Sequence, residues 1–200
     1  MKSKKTTPDV FIIESLRFED ESRGYTEGSF LAHILKLAER DVHYVYIRTR
    51  AELEEVLDQF EDSKFRYLHI SCHANSKGMS LTLDNLSVQE IGSIIGPCLD
   101  RRRIFFSACK IATPALATAL LKETGCYSVI GPSEKVRFDE AALYWASLYH
   151  FMFKNDAVVI TREMLKESMQ MLSTVFGLGM KFYAASKNNE RGFVEVDTTD

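Results

Sequence analysis

The sequence predicts an α/β fold, a three-layer α/β/α arrangement in which a mostly parallel central sheet carries helices on both faces. Two observations predict it. Short apolar runs recur at residues 9–14, 42–47, 67–72, 103–108 and 127–130. They are near-continuous rather than alternating, as strands buried on both faces are. Between them lie segments with apolar residues at helical spacing, the alternation that builds strand–helix–strand units.

The elements follow in order. Residues 9–14 open the sheet, and the polar stretch 15–28 reads as a loop beyond that strand's carboxyl end. Over 29–40, Phe30, Leu31, Ile34, Leu35, Leu37 and Ala38 have helical spacing. After the strand at 42–47, Thr49 and Glu52 form a capping box for a helix to about Phe60. Its inner face is Leu53, Val56, Leu57 and Phe60. After the strand at 67–72, the alternating run 79–84 reads as a hairpin arm. Ser87 and Glu90 form a second capping box, for a helix through Ile95 that Gly96 and Pro97 end. Beyond the strand at 103–108, Pro114 opens a helix to Glu123, closed by Gly125. Gly131 and Pro132 end the strand at 127–130. Asp139 starts an amphipathic helix to Lys154; a helix over 158–172 and a strand over 180–184 follow. The expected organisation is a flexible tail at 1–8, one domain at 9–187 and a loose polar end at 188–200.

Composition excludes several classes. A net charge of −3 gives no electrostatic case for nucleic acid. Arg101, Arg102 and Arg103 read as a solvated loop, and as a basic cleavage site if that loop is exposed. No apolar run is long enough to span a membrane, and no apolar signal core follows the basic residues 1–7. The four cysteines, Cys72, Cys98, Cys109 and Cys126, form no C-x-x-C pair. Reduced thiols in a cytoplasmic protein are therefore expected, with no structural zinc. No glycine-rich phosphate loop follows the first strand, where the sequence reads Glu14-Ser15-Leu16-Arg17-Phe18. That argues against a nucleotide-binding module.

Two strands end on reactive side chains. Residues 67–72 stop at His73, and 103–108 stop at Cys109. In an open parallel sheet, ligands bind just beyond the carboxyl ends of the strands. If these strands are neighbours, an imidazole and a thiol share one crevice, as a cysteine nucleophile and its base require. The helix beginning shortly after Cys109 would favour a thiolate there. Cys109 could instead be a small buried hydrophobe, as most free cysteines are. His69 lies inside a strand and reads as a packed histidine, and Cys72 as core; His33, His43 and His150 have no comparable setting. The backbone amides of Ala74 and Cys109 are placed to meet an oxyanion.

These residues carry a resemblance. The segments 69–78 (HISCHANSKG), 104–110 (IFFSACK), 127–131 (YSVIG) and 138–142 (FDEAA), in that order, resemble the caspase-like peptidase superfamily, and within it the CHAT branch, which is related to separases. The likeness spans about residues 10–183. It implies that His73 is the general base and Cys109 the nucleophile of a cysteine endopeptidase acting through an acyl-enzyme, with no metal or organic cofactor. One departure stands out: the family usually has glycine after the histidine, and here it is Ala74. In related enzymes an acidic residue downstream of the cysteine selects a basic side chain before the cleaved bond. Asp139 stands at a similar position, flanked by Glu134 and Glu140; a helix N-cap is the alternative role for Asp139. The resemblance further implies a protein substrate and a separately encoded regulatory partner, in a bacterial defence or cell-death-like setting. It leaves the oligomeric state open. A pseudo-peptidase that binds a partner protein in the same crevice is the alternative reading.

Overall fold

The computed structural model describes residues 6–154 and 158–198. Its core is one sheet. β1 (Thr7–Ser15), β2 (Val42–Tyr46), β3 (Phe65–Asn75), β6 (Arg103–Ser107) and β7 (Ser128–Pro132) pair in parallel, in the order β2-β1-β3-β6-β7. Two antiparallel strands, β8 (Met180–Ala185) and β9 (Phe193–Val196), extend the β7 side.

Alternate residues of each strand face opposite layers. Phe11, Ile13, Leu68, Ile70, Ile104 and Phe106 pack against α3 (Arg50–Asp62), α4 (Val88–Ile95) and α5 (Pro114–Leu121). Val10, Ile12, Tyr67 and Phe105 pack against α2 (Glu27–Leu37), α6 (Phe138–Phe153) and α7 (Arg162–Phe176). The three-layer arrangement with helices on both faces is therefore as the apolar pattern predicts. Both capping boxes form: Glu52 N reaches Thr49 Oγ1 at 3.2 Å, and Glu90 N reaches Ser87 Oγ at 3.3 Å.

Five expectations need correction. The stretch 15–28 is not all loop, since α1 (Phe18–Ser22) forms within it and α2 begins at Glu27. β3 does not stop at His73: it continues to Asn75, because residues 73–75 pair back with β4 (Gly78–Ser80), which pairs with β5 (Asn85–Ser87). Glycine is required at 78, where a Cβ would lie 1.9 Å from the Leu86 carbonyl oxygen. The C-terminal segment is not all loose. Phe193 is buried against Tyr183 with ring centroids 5.1 Å apart, and β9 pairs with β8; residues 199–200 lie outside the described residues. At the other end, Thr7 and Pro8 already belong to β1, while residues 1–5 of the expected tail lie outside the described residues.

The arginine run is the fifth. Arg102 and Arg103 are buried, so neither is a solvated loop residue or an exposed cleavage site. The Arg102 guanidinium donates to the carbonyls of Phe60, Glu61 and Ser63 at the end of α3, and to those of Phe65 and Cys98. It also lies over the Phe60 ring at 4.3 Å. The guanidinium thus caps the C-terminus of α3 from another element, which a local reading of charge cannot show.

Candidate active site

β3 and β6 are neighbours in the sheet, with Ser71 opposite Ser107. His73 and Cys109 each follow two residues later. The imidazole and the thiol thus leave adjacent parallel strands at the same level, two residues past the last pair of β3 with β6. A third segment touches both. The Val136 carbonyl accepts from Cys109 Sγ at 3.5 Å, and the Phe138 ring meets the His73 ring edge-on at 5.7 Å. Among the described residues no hydrogen bond joins the thiol to the imidazole directly.

The backbone at Cys109 is sharply turned. Lys110 has φ +56°, the left-handed region that non-glycine residues rarely occupy. Lys110 N is anchored on Glu134 O at 3.0 Å and Ala112 N on Pro132 O at 3.1 Å. The turn is therefore pinned to the end of β7. The other three cysteines are buried, and desolvation pushes the thiols of Cys72, Cys98 and Cys126 up to about 12, 11 and 12. Cys109 alone is partly exposed. α5 starts five residues on, with Thr113 as its N-cap.

His73 has a partner that the sequence did not reveal. Its Nε2 lies 2.7 Å from Asp20 Oδ2, on α1. A carboxylate there accepts the Nε2–H, which leaves Nδ1 as the basic nitrogen. The signal was the acidic run Glu19-Asp20-Glu21 just after the first strand, but nothing local says which acid reaches His73. Ala74 lies within β3 and its φ is not positive, so its methyl causes no backbone strain. The methyl packs against the α3/α4/α5 side, away from His73.

Beneath the pair lies a buried polar cluster that the sequence pattern also hides. Ser71 Oγ donates to Glu27 Oε2, and the Ser107 hydroxyl is near enough to the same carboxyl group to lower its pKa. Glu27 is thereby tied to the strand that leads to His73. Its neighbour Glu14, at the end of β1, accepts from Gly28 N at 2.7 Å, Ser29 N at 3.2 Å and Tyr44 Oη at 2.7 Å. Glu14 thereby caps the N-terminus of α2 from outside the helix. Glycine makes room at 28, where a Cβ would lie 3.1 Å from the Glu14 carboxyl carbon. His69 is buried, as expected of a packed histidine, with Nδ1 3.2 Å from Tyr149 Oη and Nε2 3.8 Å from Glu27 Oε1.

Burial pushes Glu27 up to about 7, with the nearby Glu14 charge adding to it, while burial pushes His69 down to about 3. The histidine is neutral wherever Glu27 is ionised, so their contact is not an ion pair. Glu27's raised value means that its share of stability is present in full below its ordinary 4.5 and lost as pH rises through 7. His69's lowered value works the other way, losing stability as pH falls from 6.5 towards 3. Glu27→Gln keeps the acceptor for Ser71 and removes the acid. Its stability relative to the parent should rise by about 2–3 kcal/mol between pH 5 and pH 8, at about 1.4 kcal/mol for each tenfold change in proton affinity. Urea unfolding at the two pH values checks this, and parallel curves would show that Glu27 does not titrate as a buried acid.

The three acids expected around a substrate pocket are all engaged. Asp139 is exposed and paired with Arg137 at 3.0 and 3.1 Å, which holds its carboxyl below the usual range. It is neither buried nor the N-cap, since α6 begins at Phe138 after Arg137. Glu140 accepts from Arg137 N at 3.2 Å, and Glu134 Oε1 accepts from Gly179 N at 2.6 Å. Asp139 nonetheless borders a cavity of about 510 Å³, together with Tyr25, Glu27, Phe30, Arg137 and Phe138. That cavity adjoins His73 through the shared Phe138 ring.

No protein-family profile and no curated protein matches the sequence. The solved structures do contain a likeness: a secreted C11 cysteine protease from Bacteroides thetaiotaomicron, iotapain, matches with a TM-score of 0.60. The fold is caspase-like. The match covers 90% of this protein and 66% of that one, at 13% identity. The present sequence thus spans just under two thirds of the protease's length. At that identity the likeness speaks of the caspase-like fold alone. Among the described residues, no helix is long and apolar enough to cross a membrane.

Proposed function

We propose that this protein is a cysteine endopeptidase with Cys109 as nucleophile and His73 as base. The observation that carries the reading is the equal level of the two residues on adjacent strands, with Asp20 orienting the imidazole. His73 Nδ1 takes the thiol proton, and Cys109 Sγ attacks the substrate carbonyl carbon. The oxyanion is met by the amides of Ala74 and Cys109. The imidazolium returns the proton to the leaving amine as the peptide C–N bond breaks. Water then attacks the thioester, with His73 as base, and frees the acid.

The finer assignment rests on sequence resemblance. The motifs around His73 and Cys109 resemble those of the CHAT branch, acting in the cytoplasm of a bacterial defence or cell-death-like system under a separately encoded partner. Cleavage after arginine or lysine is the proposed specificity, since Asp139 borders the cavity beside His73. A second reading, a peptidase-like module that only binds its partner, is favoured by one contact: the thiol bonds Val136 O rather than His73.

Fluorogenic peptides ending in arginine, lysine, aspartate and leucine test both readings, alongside labelling with a thiol-directed peptide electrophile. Cleavage after arginine or lysine is the expected result. Cleavage after aspartate would remove the acidic pocket. Selective labelling of Cys109 without turnover would describe an enzyme awaiting its activator, and no labelling would favour the binding module.

A further inference from the structure

At the opposite end of β3 and β6 from His73 and Cys109, roughly 20 Å away at about 3.3 Å per strand residue, the surface opens into a cavity of about 550 Å³. Four arginines converge on it from different elements. Arg66 comes from β3, Arg101 from the turn before β6, Arg103 from the start of β6, and Arg162 from the start of α7. Tyr127 joins them, and no carboxylate borders the cavity among the described residues.

Three of the guanidinium groups are braced by neutral acceptors. Arg103 donates to Ser128 Oγ and the Ile160 carbonyl, both at 2.9 Å. Arg66 donates to Thr6 and to the Val158 carbonyl, and Arg162 to the Ala185 carbonyl at 3.2 Å. Such bonds fix the groups in place without cancelling their charge. Arg103 is more than nine-tenths buried, and its Nε has no partner. Burial lowers its pKa, and the nearby Arg162 charge, a smaller cause, pushes the same way. The N-terminus of α7, a helix of 15 residues, adds its positive end to the same place. Arg101 has φ +58°, an unfavourable conformation for a residue that borders this cavity. The Tyr127 ring is 45% exposed, with Arg103 over it at 5.6 Å.

We propose that this cavity binds a small polyanion bearing two or more phosphate groups. The guanidinium groups would take the phosphate oxygens, for which their planar fork geometry suits them. The volume is that of an ordinary small-molecule site. A nucleoside di- or triphosphate would also use the Tyr127 ring as a stacking face; an inorganic polyphosphate would not.

Calorimetric titration of the full-length protein with ATP, and separately with tripolyphosphate, tests this at about 0.15 M salt, where weak surface attraction is screened. The expected result is one site per protein molecule with Kd below about 1 mM. Arg101→Glu and Arg162→Glu, both at exposed positions, should each weaken it at least about tenfold, with unchanged thermal melting in the absence of anion. Lys36→Glu makes the same charge change on α2 and should leave binding alone. Absence of binding to either anion, or a loss in Lys36→Glu equal to that in Arg162→Glu, would overturn the site. Tyr127→Ala identifies the source: weaker ATP with unchanged tripolyphosphate means a nucleotide, and no change in either means that the phosphates alone are read. The readout is binding, so it stands apart from any peptidase activity.

Discussion

Cys109→Ala is expected to abolish peptide cleavage, with kcat falling by about 10⁴-fold or more, because no other group can form the acyl-enzyme. His73→Ala should cost nearly as much, and the double variant little more than either single one, since residues that act as a unit are not additive. Asp20→Ala should lie between these variants and the parent, at about 10²-fold. Its carboxylate sits 2.7 Å from Nε2 and touches no reacting atom, so its loss frees the ring orientation and the tautomer rather than the nucleophile. Initial rates on the best peptide of the panel, with electrophile labelling in parallel, separate the roles. Asp20→Ala should keep Cys109 able to be labelled, only more slowly. Unaltered turnover in Asp20→Ala would mean that the contact belongs to the resting arrangement and not to catalysis.

The second large effect is on stability. Arg102→Ala should destabilise the protein by about 3–5 kcal/mol, since several buried carbonyls lose their donor at about 1–3 kcal/mol each. The guanidinium serves five carbonyls at 2.6–3.0 Å, three of them at the open end of α3. Truncation strips those carbonyls of donors in a place where water cannot easily replace them, and it leaves a void over the Phe60 ring. Arg102→Lys should recover only part of the loss, because an ammonium has three donors and no planar fork. Urea midpoints at constant m-value measure both. A cost under about 1 kcal/mol for Arg102→Ala would place this residue among ordinary surface arginines.

What was legible in the sequence follows physical range. The capping boxes at Thr49 and Ser87 use partners three residues apart, so the sequence shows them directly. The strands at 67–72 and 103–108 declare themselves by continuous apolar residues, and the first continues through His73 to Asn75, which the apolar pattern does not show. The missed features all depend on partners far away in sequence. Asp20 meets His73 across 53 residues, Glu27 meets Ser71 across 44, and Arg102 meets Phe60 across 42. In each case a polar residue in a polar stretch looked solvated, and only the fold supplies its partner. The segment around Phe193 failed for a related reason: a four-residue strand within a polar stretch has too little periodicity to stand out.

That last segment matters for anyone preparing a shortened form of the protein. A version trimmed after Lys187, where a composition-based boundary falls, would lose β9 and with it the buried Phe193 ring against Tyr183. The β8 backbone would then face solvent as a free strand edge beside a newly uncovered aromatic ring, which is the template on which proteins self-associate. Poor solubility of such a fragment would reflect the missing strand and carry no information about catalysis.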